Sequence, residues 1–349
     1  MYLGIEIGGT KLQLGVGPGN AELADFRRLD IDSERGSAGI LRQIEQAASD
    51  LMSRHAVSAA GIGFGGPVDT AAGRVIKSHQ VDGWEDMDLA QWCRRLLGIP
   101  TILGNDCDAA ALAEATCGAG KGRRAVFYVT AGTGVGGGYV VDGQVQGAGR
   151  PAMAEIGHLR PGLQAERPDM TVESLASGWG IAAAAKARIS GDVSLPLSRT
   201  AEVAVGEGLH LHAVGDRQDL DREFRRDLLQ RCGGDLDQLT AKSIAQAADD
   251  GNQLAVEVIR HATDVLGWAI GQVITLLAPD VVVVGGGVSL MGENLFYAPL
   301  REAVARYVFP PLAEAYEILP VALGEAVVVH GAIALAARCT QDAPHLMST

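Results

Sequence analysis

The sequence predicts a two-lobed α/β fold with a cleft between the lobes, and three observations carry that expectation. The chain has 349 residues, too many for one small core and enough for two domains of roughly 150 each. Two stretches, Leu3 to Val16 and Ala125 to Val141, repeat one plan of strand, glycine loop and return strand. A third glycine run, Gly285-Gly286-Gly287, follows the strand pattern Val281 to Val284, and open α/β sheets form their crevices at such strand ends.

Each element follows from its own pattern. Leu3 to Ile7 and Leu12 to Val16 alternate apolar positions around Gly8-Gly9-Thr10, and Leu23 to Arg27 completes a meander. Ile40, Ile44, Ala47, Ala48, Leu51 and Met52 place one apolar stripe on a helix over 37–54. Val57 to Phe64 returns to the sheet and ends at Gly65-Gly66-Pro67. Met87 to Leu97 reads as a helix, Thr101 to Leu103 as a strand, and Asn105 to Thr116 as an alanine-rich helix starting where that strand stops. Gly118 to Arg123 is the boundary. The first lobe is expected over 1–118 with a C-terminal helix in 325–349, and the second over 119–324.

Past the boundary the plan repeats. Ala125 to Thr130 and Val135 to Val141 flank the turn Ala131-Gly132-Thr133-Gly134, and Asp142-Gly143 closes a hairpin. A helix runs from Trp179 to Ile189. The segment 190–238 is extra length, a cap or an oligomer contact, with an amphipathic surface helix over Asp216 to Cys232. Further helices are expected over Leu239 to Ala248, Leu254 to Leu277 and Glu293 to Tyr307. The last, Val328 to Ala337, has room to cross back onto the first lobe. Hinges are expected near Gly118 to Gly122 and where the chain returns after Leu323.

Composition narrows the function. A formal charge of −13, from 42 acidic and 29 basic residues, disfavours nucleic acid and anionic membranes as partners, because binding phosphate arrays needs concentrated Lys and Arg. Cys93, Cys107, Cys117, Cys232 and Cys339 are scattered and form no CxxC pair, so neither a disulfide framework nor a cysteine zinc site is expected. The chain opens on the strand-like Tyr2-Leu3-Gly4-Ile5, and no apolar run reaches the roughly 18 residues of a membrane span, so the cytoplasm is the expected compartment. The 46 glycines far exceed a usual share of about 7% and fall in clusters, which suggests backbone lying close to a ligand.

Gly8-Gly9-Thr10-Lys11 alone could be a hairpin turn; as a site, it presents backbone N–H groups and a hydroxyl to an anion. It is neither a GxxxxGK[ST] loop nor a GxGxxG that opens a helix, which excludes P-loop and dinucleotide folds. Glu6 just before it offers oxygen to Mg²⁺, directly or through water. The tract Ala131 to Gly138 is too costly in glycine to be explained by packing and reads as a phosphate cradle. Beyond Gly285-Gly286-Gly287 a flat adenine or a ribose has access to backbone. Asn105-Asp106 sits at a strand end and a helix start; one residue is needed as the cap, and the other faces the cleft. Asp106 is the expected base, taking the proton of an attacking hydroxyl, with Asn105 gripping a neighbouring hydroxyl. Glu155, His158 and Glu173 supply donors and acceptors for a neutral polyol, although a histidine alone is more often structural.

Together these residues resemble the ROK family of bacterial sugar kinases and repressors, within the sugar kinase, actin and Hsp70 (ribonuclease H-like) fold. The resemblance covers nearly all of the chain apart from 190–238. It implies that Gly8 to Lys11 and Gly132-Thr133-Gly134 hold the phosphates of ATP, that Gly285 to Gly287 borders adenosine, and that Asp106 is the catalytic base. It implies that Gly65, Gly66, Asn105, Glu155, His158 and Glu173 contact the sugar, and a homodimer is the expected assembly. Two departures bear on chemistry. Glu6 stands where the family usually has aspartate, one C–C bond of about 1.5 Å longer. Many members bind structural zinc through a CxCGxxGC cluster, whereas Leu159 to Val172 contains no cysteine. No structural zinc is therefore expected, with Glu166 and Asp169 too weak a set to replace it. Pro161 and Pro168 are expected to stiffen the loop instead, with some other partner orienting His158.

The expected activity is phosphoryl transfer from ATP to a hexose, glucose ahead of fructose, mannose and N-acetylmannosamine. A repressor would need an N-terminal helix-turn-helix, which the opening strand does not provide. A sugar-binding protein without turnover is the remaining alternative; Glu6 and the rearranged loop favour it, and Asp106 with three glycine loops weighs against it.

Overall fold

The computed structural model describes residues 1–78, 81–147, 150, 153–162, 167, 169–191 and 214–346. The first sheet contains β1 (Tyr2–Ile7), β2 (Lys11–Gly17) and β3 (Asp25–Asp30) as an antiparallel meander. Helix α1 (Gly36–Arg54) leads to β4 (Ala59–Phe64), and the small hairpin β5 (Val68–Asp69) and β6 (Arg74–Val75) follows. Then come α2 (Leu89–Leu97), β7 (Thr101–Asn105) and α3 (Asp106–Cys117). The strand order is β3-β2-β1-β4-β7, with β4 and β7 parallel to β1.

The second sheet is built the same way. Strands β8 (Ala125–Ala131), β9 (Val135–Val141) and β10 (Gln144–Val145) form its meander, followed by α4 (Val172–Ala176), α5 (Gly178–Ser190), α6 (Val214–Arg231), α7 (Ala241–Asp249) and α8 (Gln253–Leu277). Strand β11 (Val281–Gly285), α9 (Ala298–Tyr307) and β12 (Glu317–Pro320) precede the last helix, α10 (Val327–Leu346). The order β10-β9-β8-β11-β12 copies the first sheet strand for strand, so the repeated plan in the sequence marks two lobes of one topology. Asp142 and Gly143 both adopt positive φ, 50° and 73°, as the hairpin turn requires.

Several boundaries differ from expectation for local reasons. The helix expected from Glu293 begins as a π turn over Glu293–Tyr297 and becomes regular only at Ala298. Strand β12 is an edge strand of four residues ending in proline, too short to show alternation. Helix α6 is less superficial than its charge suggested, because Leu228 joins the core of the second lobe. Residues 192–213 of the extra segment lie outside the described residues. No helix among the described residues is long and apolar enough to cross a membrane.

The lobes meet on α3 and α10, which pack on each other and on the strands behind them. Ala109, Ala110, Ala111 and Ala113 of α3 share one core with Val126, Tyr128 and Val140 of the second sheet, Val281 and Val283 of β11, and Val327 and Val328 of α10. The approach is close enough to need glycine: a Cβ on Gly331 of α10 would overlap the backbone of Ala109, and one on Gly61 of β4 the carbonyl of Ala332. Helix propensity alone favours Gly331→Ala by about 1 kcal/mol. Overpacking reverses that sign, and the variant should lose about 1–3 kcal/mol. Urea denaturation measures it, and a stabilised variant would refute the close contact.

Candidate active site

Three parallel neighbours of the first sheet stop together, β1 at Ile7, β4 at Phe64 and β7 at Asn105, so Gly8, Gly65 and Asp106 emerge side by side on the cleft floor. Gly65 N donates to Ile7 O at 2.8 Å. A Cβ on Gly65 would lie 3.3 Å from Asp106 Oδ2 and 3.6 Å from Gly8 Cα, which places the expected base beside the first glycine loop.

Asn105 takes the cap. Its Oδ1 accepts from Cys107 N at 2.8 Å and Asp108 N at 3.2 Å, and its Nδ2 donates to Gly66 O at 3.1 Å. One amide N–H is left for a ligand, a narrower role than gripping a hydroxyl with the whole amide. Asp106 Oδ1 accepts from Cys107 N at 2.8 Å, leaving Oδ2 on the Gly65 side. Burial pushes the Asp106 carboxyl up to about 6, against the pull of the Cys107 N–H, with Glu155 adding to the rise. Such a group is ionised at neutral pH and accepts a proton more readily than an ordinary carboxylate.

Glu6 lies buried on the adjoining strand, 5% exposed, with Lys11 Nζ 3.1 Å from its Oε1. Gln13 is fully buried, and the amide orientation that satisfies both of its polar atoms faces its nitrogen to Glu6 Oε2 at 2.6 Å and Glu325 O at 3.1 Å. Burial raises the Glu6 carboxyl to about 7, opposed by Lys11 and assisted by Asp106. The donor set fits a hard cation: an oxygen ligand is present, and its ammonium partner shows that positive charge is favoured there. With Lys11 in contact, Glu6 reaches a cation through water or after Lys11 moves. Lys11 is thus tied to Glu6 rather than free above the first glycine loop. In that loop Gly8 N donates to Lys11 O at 3.0 Å, Gly9 is half-buried and Thr10 is exposed.

The opposite wall comes from the second lobe. Gly157 lies against the Val135 carbonyl with no space for a Cβ, which seats the turn Ile156–His158 on β9. A reciprocal cap between Thr171 and Ser174 starts α4 and carries Glu173 to Val135 N, where Oε2 accepts at 2.9 Å. Burial raises the Glu155 carboxyl, His158 opposes the rise and Glu173 adds to it, so the three expected sugar contacts form one electrostatic group. His158 itself is exposed, and among the described residues its ring has no hydrogen-bond partner. The partner expected to orient its imidazole is not among the described residues. Asp169 pairs with Arg167 at 3.1 Å; Glu166 and Pro168 lie outside the described residues. No group of three or more His, Cys, Asp or Glu among the described residues is arranged to hold a metal ion.

The remaining glycines divide into two kinds. Gly132 O accepts from Gly178 N at 2.8 Å, and Gly132 N donates to Gly134 O at 2.8 Å. A Cβ on Gly132 would lie 3.6 Å from Gly287 N, so the second and third glycine turns stand back to back. Gly287 has open space beside it and Thr133 is exposed, leaving both accessible to a phosphate or ribose. Gly285 instead is a buried strand residue paired with Thr130. The reading of the whole tract to Gly138 as a phosphate cradle is corrected by packing. A Cβ would meet Cys107 Sγ at 2.6 Å from Gly136, Ala154 O at 2.6 Å from Gly137 and Cys107 O at 2.5 Å from Gly138. At Gly134 the nearest atom is the movable end of Glu173, whose Oε2 would lie 2.5 Å from a Cβ.

Two further site residues escaped the sequence reading. Asp108, half-buried in the first turn of α3, is raised to about 7 by burial and by Asp106 and Glu155; its signal was a second aspartate at the same helix start. Gln13 was visible only as one polar residue inside an apolar strand.

The ROK family model matches residues 2–339. A glucokinase of Halalkalibacterium halodurans is 28% identical over 333 residues, covering 93% of this chain and 91% of its own. The N-acetylgalactosamine kinase AgaK of a Shewanella species is 30% identical over 316 residues, 88% of each chain. The crystal structure of a ROK family glucokinase from Streptomyces griseus, in complex with glucose and AMPPNP, superposes with a TM-score of 0.76 at 28% identity, covering 97% of this chain and 99% of that one. The chain therefore belongs to the ROK family, in its bacterial sugar-kinase branch, and has the two-lobed α/β fold of those kinases.

Proposed function

We propose that this carbohydrate kinase transfers the γ-phosphoryl group of ATP to a hydroxyl of a hexose, glucose first, with Asp106 as general base. The position of Asp106 carries the reading: a carboxylate of raised proton affinity lies beside Gly8 and Gly65 and is coupled to Glu155 on the opposite wall. Support for glucose comes from the 28% identity to a glucokinase over 93% of the chain and from the glucose-bound ROK structure. The kinase for N-acetylgalactosamine at 30% identity favours an N-acetylhexosamine as the second reading.

In this mechanism the hydroxyl oxygen forms a bond to the γ-phosphorus, the bond to the bridging oxygen of ADP breaks, and the hydroxyl proton passes to Asp106. Glu155, Glu173, His158 and the free N–H of Asn105 hold the other hydroxyls, with Gly65 and Gly66 beneath the ring. The loops Gly8 to Lys11 and Gly132 to Gly134 face the phosphates, and Gly286 and Gly287 border adenosine. Bound Mg²⁺ supplies charge neutralisation on the phosphate oxygens, and Glu6 is the residue placed to hold it, directly or through water. The same reading places the enzyme in the cytoplasm as a homodimer, and its charge of −13 argues against nucleic acid or an anionic membrane as partner. It uses no zinc, and dialysed protein should hold well under one zinc per chain by elemental analysis.

A coupled ADP-release screen over glucose, fructose, mannose, N-acetylmannosamine and N-acetylgalactosamine tests the reading; no sugar-dependent release from folded protein would reject it. Asp106→Asn should lower turnover by about 10²-fold or more. Because the base must be ionised, kcat/KM should fall as pH drops through about 6, approaching roughly tenfold per pH unit. A flat profile between pH 5 and pH 8 would remove Asp106 from that role.

A further inference from the structure

Glu114 is fully buried near the far end of α3, about two helical turns from Asp106. A buried carboxylate is costly unless its oxygens are hydrogen-bonded, and the bonds Glu114 makes are unusual in where they lead. Its Oε2 accepts from Ala119 N at 2.6 Å, in the segment that leaves the first lobe between α3 and β8. Its Oε1 accepts from Ala322 N at 3.0 Å and Leu323 N at 2.9 Å, in the segment that returns from β12 to α10. One side chain thus binds both chain crossings between the lobes. The backbone agrees, since Glu114 O accepts from Gly118 N at 3.2 Å and Gly120 N at 2.9 Å. A Cβ on Gly118 would overlap Glu114 Oε2. The second crossing also touches the phosphate side of the cleft, where Gln13 and Lys11 donate to Glu325 O.

We infer that Glu114 is the pivot on which the lobes close, a positioning residue that fixes both crossings to the helix carrying the base. The inference rests on the proposed kinase reaction, which needs a closed cleft to exclude water as acceptor. Charge-assisted bonds to backbone N–H groups are strong and directional, so they hold the crossings at fixed points while torsions on either side absorb the rotation. Without them the open protein samples more interlobe arrangements, and fewer are competent for sugar. The apparent KM then rises by the inverse of the competent fraction, while saturating sugar restores the closed state and kcat. A merely structural role predicts the reverse, a smaller folded fraction with reduced kcat at unchanged KM.

The test uses the full chain with Glu114→Gln, which keeps the volume but turns an N–H group toward one of the N–H donors. Amide exchange at Ala119, Ala322 and Leu323 should accelerate by about tenfold or more at one crossing or both. The sugar KM should rise by about tenfold with kcat within about twofold. Gly118→Ala displaces the same carboxylate from the other side and should shift KM in the same direction, which keeps the inference testable if Glu114→Gln folds poorly. Unchanged exchange at all three amides, or a loss confined to kcat at wild-type KM, would overturn it. A wild-type chain that turned over no sugar would overturn the proposed function instead, and the exchange rates would still decide whether Glu114 holds both crossings.

Discussion

Helix α3 must touch both sheets at once, and most of the architecture follows from that demand. A helix clothed in large side chains keeps its neighbours 8–10 Å from its axis; alanines, with glycines opposite, allow a closer approach. Ala109 and Ala111 of α3 meet Gly331, Gly63 and Gly138 on three different elements, which is why α10, β4 and β9 can all crowd the same helix. The gain is geometric. Aligned by both sheets, the N-terminus of α3 presents Asp106 to the end of β4 in the first lobe and, across the cleft, to the wall bearing Glu155.

Charge in the cleft follows a second logic. Glu6, Asp106, Asp108 and Glu155 are all raised by burial, and repulsion from a neighbouring acid adds to the rise at each, Glu173 being that neighbour for Glu155. Lys11 and His158 oppose it only locally. Such a site repels a bare anion and accepts a polyol, whose hydroxyls donate to carboxylates, while a triphosphate needs its own cation and the backbone N–H groups of the glycine turns. The observed distribution suits a neutral sugar held by acids and a nucleotide held by main chain, with Glu6 between them.

The sequence made the lobes and the polar pair at the start of α3 legible because both are written in local patterns. Strand, glycine turn and strand recur at matching places, and Asn105-Asp106 at a strand end announces a cap with a second acid beside it. Long-range packing was not legible. The glycines from Gly136 to Gly138 looked like a phosphate cradle because a cluster signals close approach without saying to what; the approach is to Cys107 and Ala154. Gly285 looked like part of a nucleotide turn for the same reason and lies in the sheet. Asp108, Gln13 and Glu114 carry no motif at all, and their environments exist only once α3, β2 and the crossings are assembled.

What separates the glycines left open to the cleft from those used in packing is the space that a side chain would find. Gly287 has room for one and Gly132 nearly so, and both lie in turns whose N–H groups are only partly used. Gly136, Gly137 and Gly138 have none, because protein atoms already occupy the place. The two kinds are mechanically linked. Packing glycines let α3 lie flat between the sheets, and only a helix held so firmly can carry Asp106 at one end and both lobe crossings at the other. Any motion at the crossings is then referred to the same rigid body that fixes Asp106, so a closing motion would bring the second wall to Asp106 without displacing it from the first glycine loop.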